Sequence, residues 1–310
     1  MFVVKSISLN QSVYLSLAGI MLLAGCSSDP MHSQKVTKER CEAQSGFVFI
    51  AAGPFQSGSD PEQRDYGYQI SAEAMGDTPD AIAQAESQLR QQRWFAGEQE
   101  LTEIDLSDFC IAENLVTQAN YQEFVEATGH RSPGISAADY QEQGFLVHPY
   151  EAVRPYLWDE NRPPESRQSH PVVLVSYRDA LAYADWRGQQ DGETYRLPTE
   201  MEWEKAARST DGRYFPWRNQ WQDDATNWGG RGMDGTSEVA AFPLSRSPYG
   251  VEDMAGNVFE FTSTLVNGDT EAVMKGCSWD DLPGFCRAAY RHTRPVDSRH
   301  ILFGFRLVME

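Results

Sequence analysis

The stretch beyond Arg208 constrains the fold of this chain most. It is rich in Gly, Asn, Asp, Trp and Pro. Gly and Pro are poor helix formers, and Asn and Asp compete for local backbone hydrogen bonds. Helices are not expected there; short strands joined by long ordered loops are. Such loops bury little apolar area, so they depend on internal hydrogen bonds or metal ions for their stability.

Upstream, three helices are punctuated clearly. Thr117 caps one running to about Thr128, burying Tyr121, Phe124 and Val125 and stopping at Gly129. Ser176 with Asp179 resembles a capping box opening a helix that buries Ala180, Leu181 and Ala184, with Gly188 as its stop. Thr199 with Glu202 is a full capping box; its helix runs through Arg208 with Trp203, Ala206 and Ala207 inward. Arg196, Glu200, Glu202, Glu204 and Arg208 crowd its start and read as a scaffold of ion pairs. Trp203, Trp217, Trp228 and Trp279 read as core aromatics. Gly46 to Ile50 is strand-like, and Gly53-Pro54 turns it. Residues 59–100 are acidic and Gln/Ala-rich and read as a surface insertion, helical in composition from Pro79 to Phe95.

The N-terminus reads as an address. Residues 1–25 form a signal peptide, with Lys5 in its positive region and a short apolar run from Val13 to Ala24. Leu23-Ala24-Gly25-Cys26 resembles a bacterial lipobox, which implies cleavage before Cys26 and lipidation of its thiol. A multi-chain lipid anchor holds stably to a membrane. Ser27 and Ser28 follow, with no Asp directly after Cys26. That pattern points to a Gram-negative cell envelope, at the outer membrane facing the periplasm. Residues 26–45 are then a polar tether, and residues 46–310 form one domain.

With Cys26 set aside, four of the five cysteines remain: Cys41, Cys110, Cys277 and Cys286. An oxidising compartment favours two disulfides. Cys41–Cys110 with Cys277–Cys286 is preferred among the three pairings that four cysteines allow. Charge narrows the partners. The 310 residues hold 26 Lys+Arg against 45 Asp+Glu, a formal net charge of −19. That argues against nucleic acid, whose backbone is also negative, and favours a partner with basic patches. No apolar run of about 18 residues lies beyond the N-terminal region, as a polytopic membrane protein would need.

Three groups of strings then point to a family. The first is His170-Pro171-Val172-Val173 to Ser176-Tyr177, followed by Arg196-Leu197-Pro198-Thr199-Glu200 through Arg208. The second is Tyr249 to Phe261, containing Asp253-Met254-Ala255-Gly256-Asn257-Val258. The third is Lys275-Gly276-Cys277-Ser278-Trp279, Cys286-Arg287-Ala288-Ala289-Tyr290-Arg291 and Gly304-Phe305-Arg306. In this order they resemble the sulfatase-modifying-factor family, the formylglycine-generating enzymes and their relatives, over roughly residues 46–309. The resemblance implies an α+β fold of the C-type-lectin-like kind, low in regular structure.

It also implies sites. In formylglycine-generating enzymes the positions matching Asp253, Gly256, Val258 and Glu260 bind Ca²⁺, a hard cation that takes oxygen ligands. A second, weaker calcium site would use Asn227 and Trp228. The copper-dependent members use two cysteines shortly after the Gly-Gly-Ser string, apt for Cu(I). Here Asp281 stands at the first of those positions, so copper is not expected. Cys277 and Cys286 could still meet as a thiol pair or close a disulfide. The remaining catalytic candidates are Cys277, Cys286 and Ser278. The family's three-His iron branch is not matched by the spacing of the six histidines. A periplasmic branch in pyoverdine maturation lacks the two-cysteine site and keeps an oxidoreductase alternative open. The expectation is a lipid-anchored binding or accessory module for a protein, peptide or glycan; the alternative is an O₂-dependent oxidoreductase acting on a protein cysteine or small metabolite.

Overall fold

The computed structural model describes residues 36–144 and 147–310. Cys26, the signal segment and the first half of the tether lie outside these residues. In chain order come α1 (Lys38–Ala43), β1 (Phe47–Ile50), β2 (Gly53–Ser57), α2 (Pro61–Met75), α3 (Pro79–Gln92), β3 (Thr102–Leu106) and β4 (Phe109–Ala112). The middle holds α4 (Gln118–Thr128), α5 (Ala137–Glu142), α6 (Tyr150–Val153), α7 (Tyr177–Asp191), β5 (Tyr195–Arg196) and α8 (Glu200–Arg208). Then follow β6 (Phe259–Val266), β7 (Glu271–Lys275), β8 (His292–Pro295), β9 (Phe303–Gly304) and β10 (Val308–Met309). Beyond Arg208 no α-helix occurs among the described residues, as the composition there requires.

Capping chemistry sets the helix starts. Thr117, Ser176 and Thr199 each accept the backbone N–H three residues on, and Asn120, Asp179 and Glu202 return the bond. Gly129, in the left-handed region at φ 70°, ends α4. Helix α7 passes Gly188 and ends at Asp191, where Gly192 takes φ 71°. The reading of Gly188 as the stop is therefore corrected. Gly188 is small for another reason: a Cβ there would lie 2.6 Å from the Glu193 carbonyl oxygen.

Three sheets organise the chain. The first runs β1-β4-β10-β5, antiparallel throughout. Its inner face packs Ile50, Ile111 and Val308 with Trp203, Ala206 and Ala207 of α8. The second pairs β2 with β3, register Gly53↔Leu106 to Ser57↔Thr102, and carries α2 and α3 as the connection between its strands. The third is β8-β7-β6-β9, with β6 and β9 parallel.

The stretch read as a surface insertion holds two helices, α2 as well as the expected α3, and it reaches the core. Gly67 of α2 lies against Arg287, where a Cβ would meet Nε at 2.5 Å. Ser71 Oγ accepts from the Gly284 N–H at 2.9 Å. Glu98 and Arg287 form a buried bidentate pair at 2.6 and 3.1 Å. Such a pair leaves no buried charge uncompensated.

The charged group around α8 is a scaffold. Glu204 takes Arg208 at 2.9 Å, Lys275 at 3.1 Å and the Gly58 N–H at 2.7 Å, all buried. Arg196 holds Glu202, and Arg291 holds Glu200. Trp203 and Trp228 are buried; Trp217 and Trp279 are half-buried at the margin of the core.

Candidate functional site

Cys277 and Cys286 are joined by a disulfide, and Cys41 and Cys110 by another, which is the preferred pairing. Neither Cys277 nor Cys286 offers a thiolate, so the thiol-pair reading of these two residues is corrected. The Gly256 N–H donates to Cys277 Sγ at 3.0 Å, fixing that sulfur further. The bond closes a short loop, and Asp280, Asp281, Leu282 and Phe285 on this loop all face one cleft.

That cleft has a volume of about 420 Å³. Residues 75–94 of α2, α3 and the segment after them supply one wall, including Leu89 and Trp94. Phe259, Phe285, Tyr290 and Phe303 add an aromatic lining that meets the first wall where Trp94 packs edge to face on Phe285, and β8 contributes His292 and Arg294. The aromatic packing is dense: Phe95, Phe285 and Tyr290 meet edge to face, and His292 sits edge-on against Phe259 at 4.1 Å between centroids.

A polar network forms the floor. The Ser278 N–H donates to Asp281 Oδ2 at 2.8 Å. Ser278 Oγ donates to Asp280 Oδ1 at 2.6 Å and also meets Asp281 Oδ2. Asp280 Oδ2 lies 2.8 Å from His148 Nε2, and the His148 ring stacks on Trp279. Tyr140 hydroxyl and His300 Nε2 are 2.9 Å apart. Burial, then the like charge of Asp280, pushes the Asp281 carboxyl up to about 7. Burial and the neighbouring His148 push His300 down to about 3. Burial, with Arg294 nearby, holds His292 far below the usual imidazole range. His292 and His300 are therefore neutral at physiological pH, and Asp281 exchanges a proton there.

Ser278, a weak catalytic candidate from sequence, thus lies fully buried behind the floor, hydrogen-bonded to two carboxyl groups that do line the cleft. Asp280, Asp281, His148, His292 and Trp94 were not singled out as site residues. Four separated segments contribute them. The signal available was the Asp at the first copper position, which marks the spot without giving its partners.

The first calcium set does not fit as expected. Glu260 gives both oxygens to Arg306, at 2.6 and 2.8 Å, and both side chains are buried. The first-set expectation is corrected for Glu260, whose charge is already matched. Asp253 is buried, takes φ 52°, and accepts the Ala240 N–H at 2.8 Å. Burial pushes its carboxyl up to about 6. The Gly256 carbonyl accepts from Val258. In the second set the Trp228 carbonyl accepts the Arg231 N–H at 2.9 Å, and Asn227 is the member with an open oxygen. Asn227 donates through Nδ2 to the Gly235 carbonyl, while its buried Oδ1 has no hydrogen-bond partner among the described residues. An orphan buried oxygen of this kind suits a hard cation.

Comparison with known proteins follows the same lines. The model of the sulfatase-modifying factor enzyme 1-like domain matches residues 33–310. The inactive C-alpha-formylglycine-generating enzyme 2 of Mus musculus is 32% identical over 216 residues, 60% of this chain and 68% of that protein. The formylglycine-generating enzyme of Mus musculus is 31% identical over 261 residues, 68% of each chain. Among solved structures, PvdO from Pseudomonas aeruginosa superposes with a TM-score of 0.61 at 22% identity, covering 85% of this chain and 94% of that one. The chain belongs to the sulfatase-modifying-factor family, that of the formylglycine-generating enzymes and their relatives.

Proposed function

We propose that this chain is an envelope lipoprotein, anchored through Cys26, whose domain binds a partner molecule in the described cleft and does not perform copper two-cysteine chemistry. One observation carries this reading. At the first of the two copper positions the cleft has Asp281, and the two cysteines nearest in sequence, Cys277 and Cys286, are tied in a disulfide. Carboxylate oxygen is a hard donor and a disulfide sulfur a poor one, so neither suits a soft cuprous ion. An inactive relative and an active one match the chain about equally well, so family membership is compatible with the loss. Fold similarity itself does not decide activity.

Calcium is proposed at Asn227 and the Trp228 carbonyl, where it would stiffen the loops that follow α8. A second functional reading is an oxidoreductase of the same family. Asp281 favours it, because a carboxyl exchanging its proton near neutrality is suited to acid–base work.

Native mass spectrometry of the chain, loaded with Cu(I) and then alkylated, tests the first reading. The expected result is no retained copper, no alkylated cysteine among Cys41, Cys110, Cys277 and Cys286, and a lipid mass on Cys26. One tightly held copper, with formylglycine formed on a cysteine peptide in O₂, overturns it.

A further inference from the structure

Two adjacent carboxyl groups, Asp280 and Asp281, share one serine at the floor of the cleft. Ser278 has one hydroxyl proton. Its Oγ nevertheless meets carboxyl oxygens of both Asp280 and Asp281, while the Ser278 N–H is also directed at Asp281. One hydroxyl proton satisfies only one of those two contacts. The other is satisfied when a carboxyl group carries a proton; a cation seated on the two acids would offset the same crowding of negative charge. Facing the floor are Asp280 and Asp281 from the disulfide loop, His148 against Asp280, Arg294 from β8, and Tyr290, His292 and His300. Arg294 acts electrostatically on Asp281, and His148 pairs with Asp280 at 2.8 Å. His292 and His300 supply no charge.

The walls and mouth are apolar. Five large hydrophobic side chains stand exposed among the described residues, and three of them line this one cleft: Met75 at 50%, Trp94 at 46% and Val147 at 67%. Their convergence on one opening marks a binding surface rather than scattered exposure. Both ring nitrogens of His292 are buried against the cleft with no hydrogen-bond partner among the described residues. That is a second sign of an occupant that brings a donor or acceptor.

We propose that the cleft takes a small organic amine, with its ammonium group seated on the Asp280–Asp281 pair and its apolar or aromatic body lying against Leu89 and the packed Trp94–Phe285 pair. This rests on the reading of the cleft as a binding site. The volume of about 420 Å³ lies in the small-molecule range and commits the proposal to a free amine rather than a protein segment. The aromatic wall adds attraction for a cation where water is excluded. The raised Asp281 carboxyl is consistent: burial and Asp280 disfavour a second negative charge there, which an ammonium group would offset.

Calorimetry on the full-length chain tests this with two probes of one shape and opposite charge, phenethylamine and phenylpropanoate. The amine should bind at least about tenfold more tightly than the carboxylate, as one charge-assisted hydrogen bond predicts. Asp281→Asn should abolish that preference. Trp94→Ala, on the exposed rim and safe for folding, should weaken the amine while leaving its preference over the carboxylate. If Asp281→Asn does not fold, Asp280→Asn gives the same reading. Equal binding of the two probes, or no binding of either, overturns the proposal and leaves the loss of copper chemistry standing. Binding of a lysine peptide without binding of phenethylamine also overturns it, because the occupant is then a protein. Stoichiometric Cu(I) would instead overturn the underlying reading.

Discussion

The two disulfides make a quantitative prediction, because they differ in one variable. Cys41–Cys110 spans 69 residues and Cys277–Cys286 spans 9. All four side chains are fully buried. Replacing either pair with alanine therefore leaves a similar cavity, and the difference between the two double variants is mainly loop entropy in the unfolded chain, offset in part by the Gly256 N–H bond to Cys277 Sγ. The chain-entropy treatment gives about 4.4 kcal/mol for the long loop and about 2.6 kcal/mol for the short one. Cys41→Ala/Cys110→Ala should then be less stable than Cys277→Ala/Cys286→Ala by about 1.8 kcal/mol. Urea unfolding followed by tryptophan fluorescence measures it; with a slope near 3 kcal/mol/M the midpoints separate by about 0.6 M. Amine binding should rank the variants the other way. The short loop carries Asp280, Asp281, Leu282 and Phe285, so the more stable variant is the one that loses the cleft. Equal stabilities, or the reverse order, would refute the entropic reasoning and place the effect of both bonds in native-state contacts.

Other expectations follow from single residues. Arg306→Met leaves Glu260 buried without its partner and should cost about 3–5 kcal/mol in denaturant unfolding; a loss below about 1 kcal/mol would mean that water reaches Glu260. Gly67→Ala places a Cβ against Arg287 and should cost about 1–3 kcal/mol, with amine affinity falling as α2 shifts. The folded Asp281 binds its proton more tightly than the unfolded value of 3.8 allows. Its contribution to stability is therefore full below pH 3.8 and is lost as pH rises through about 7. Asp281→Asn should flatten that decline relative to the parent chain, and parallel pH profiles would contradict the assignment. Calcium should raise the melting temperature of the parent chain and not that of Asn227→Ala; identical parent melting curves in calcium and in chelator would remove the metal from the account.

Much of the helical framework was legible because caps are local. Thr117, Ser176 and Thr199 each announce a helix through chemistry spanning three residues, and all three helices start where these residues stand. Helix α2 has a local start signal too, Asp60 accepting the Gln63 N–H at 2.8 Å with Pro61 in the first turn, but its apolar pattern is weak. It buries Gln63, Gly67, Ser71 and Ala72 alongside Tyr68 and Ile70, so no apolar stripe marks its inner face. Its fit depends on a missing side chain at Gly67 and a hydroxyl at Ser71, both meaningful only once Arg287 and Gly284 are beside them. Gly188 misled for the same reason, since its smallness answers to the Glu193 carbonyl and not to a helix end. The cleft was the least legible part. Sequence showed that Asp281 is not a cysteine, but the pairing of Ser278 with two acids and the approach of His148 from a distant loop arise only in three dimensions.

The bond between Cys41 and Cys110 also decides how this domain bears a load. It ties α1, near the start of the described chain, to β4 inside the first sheet. A pull applied anywhere ahead of Cys41 passes through sulfur into β4, and the backbone between the two cysteines carries no tension. β1, β2, α2, α3 and β3 all lie within that closed span. The helices that wall the cleft are thus mechanically shielded, and tugging on the N-terminal side would not peel them away while the covalent link holds.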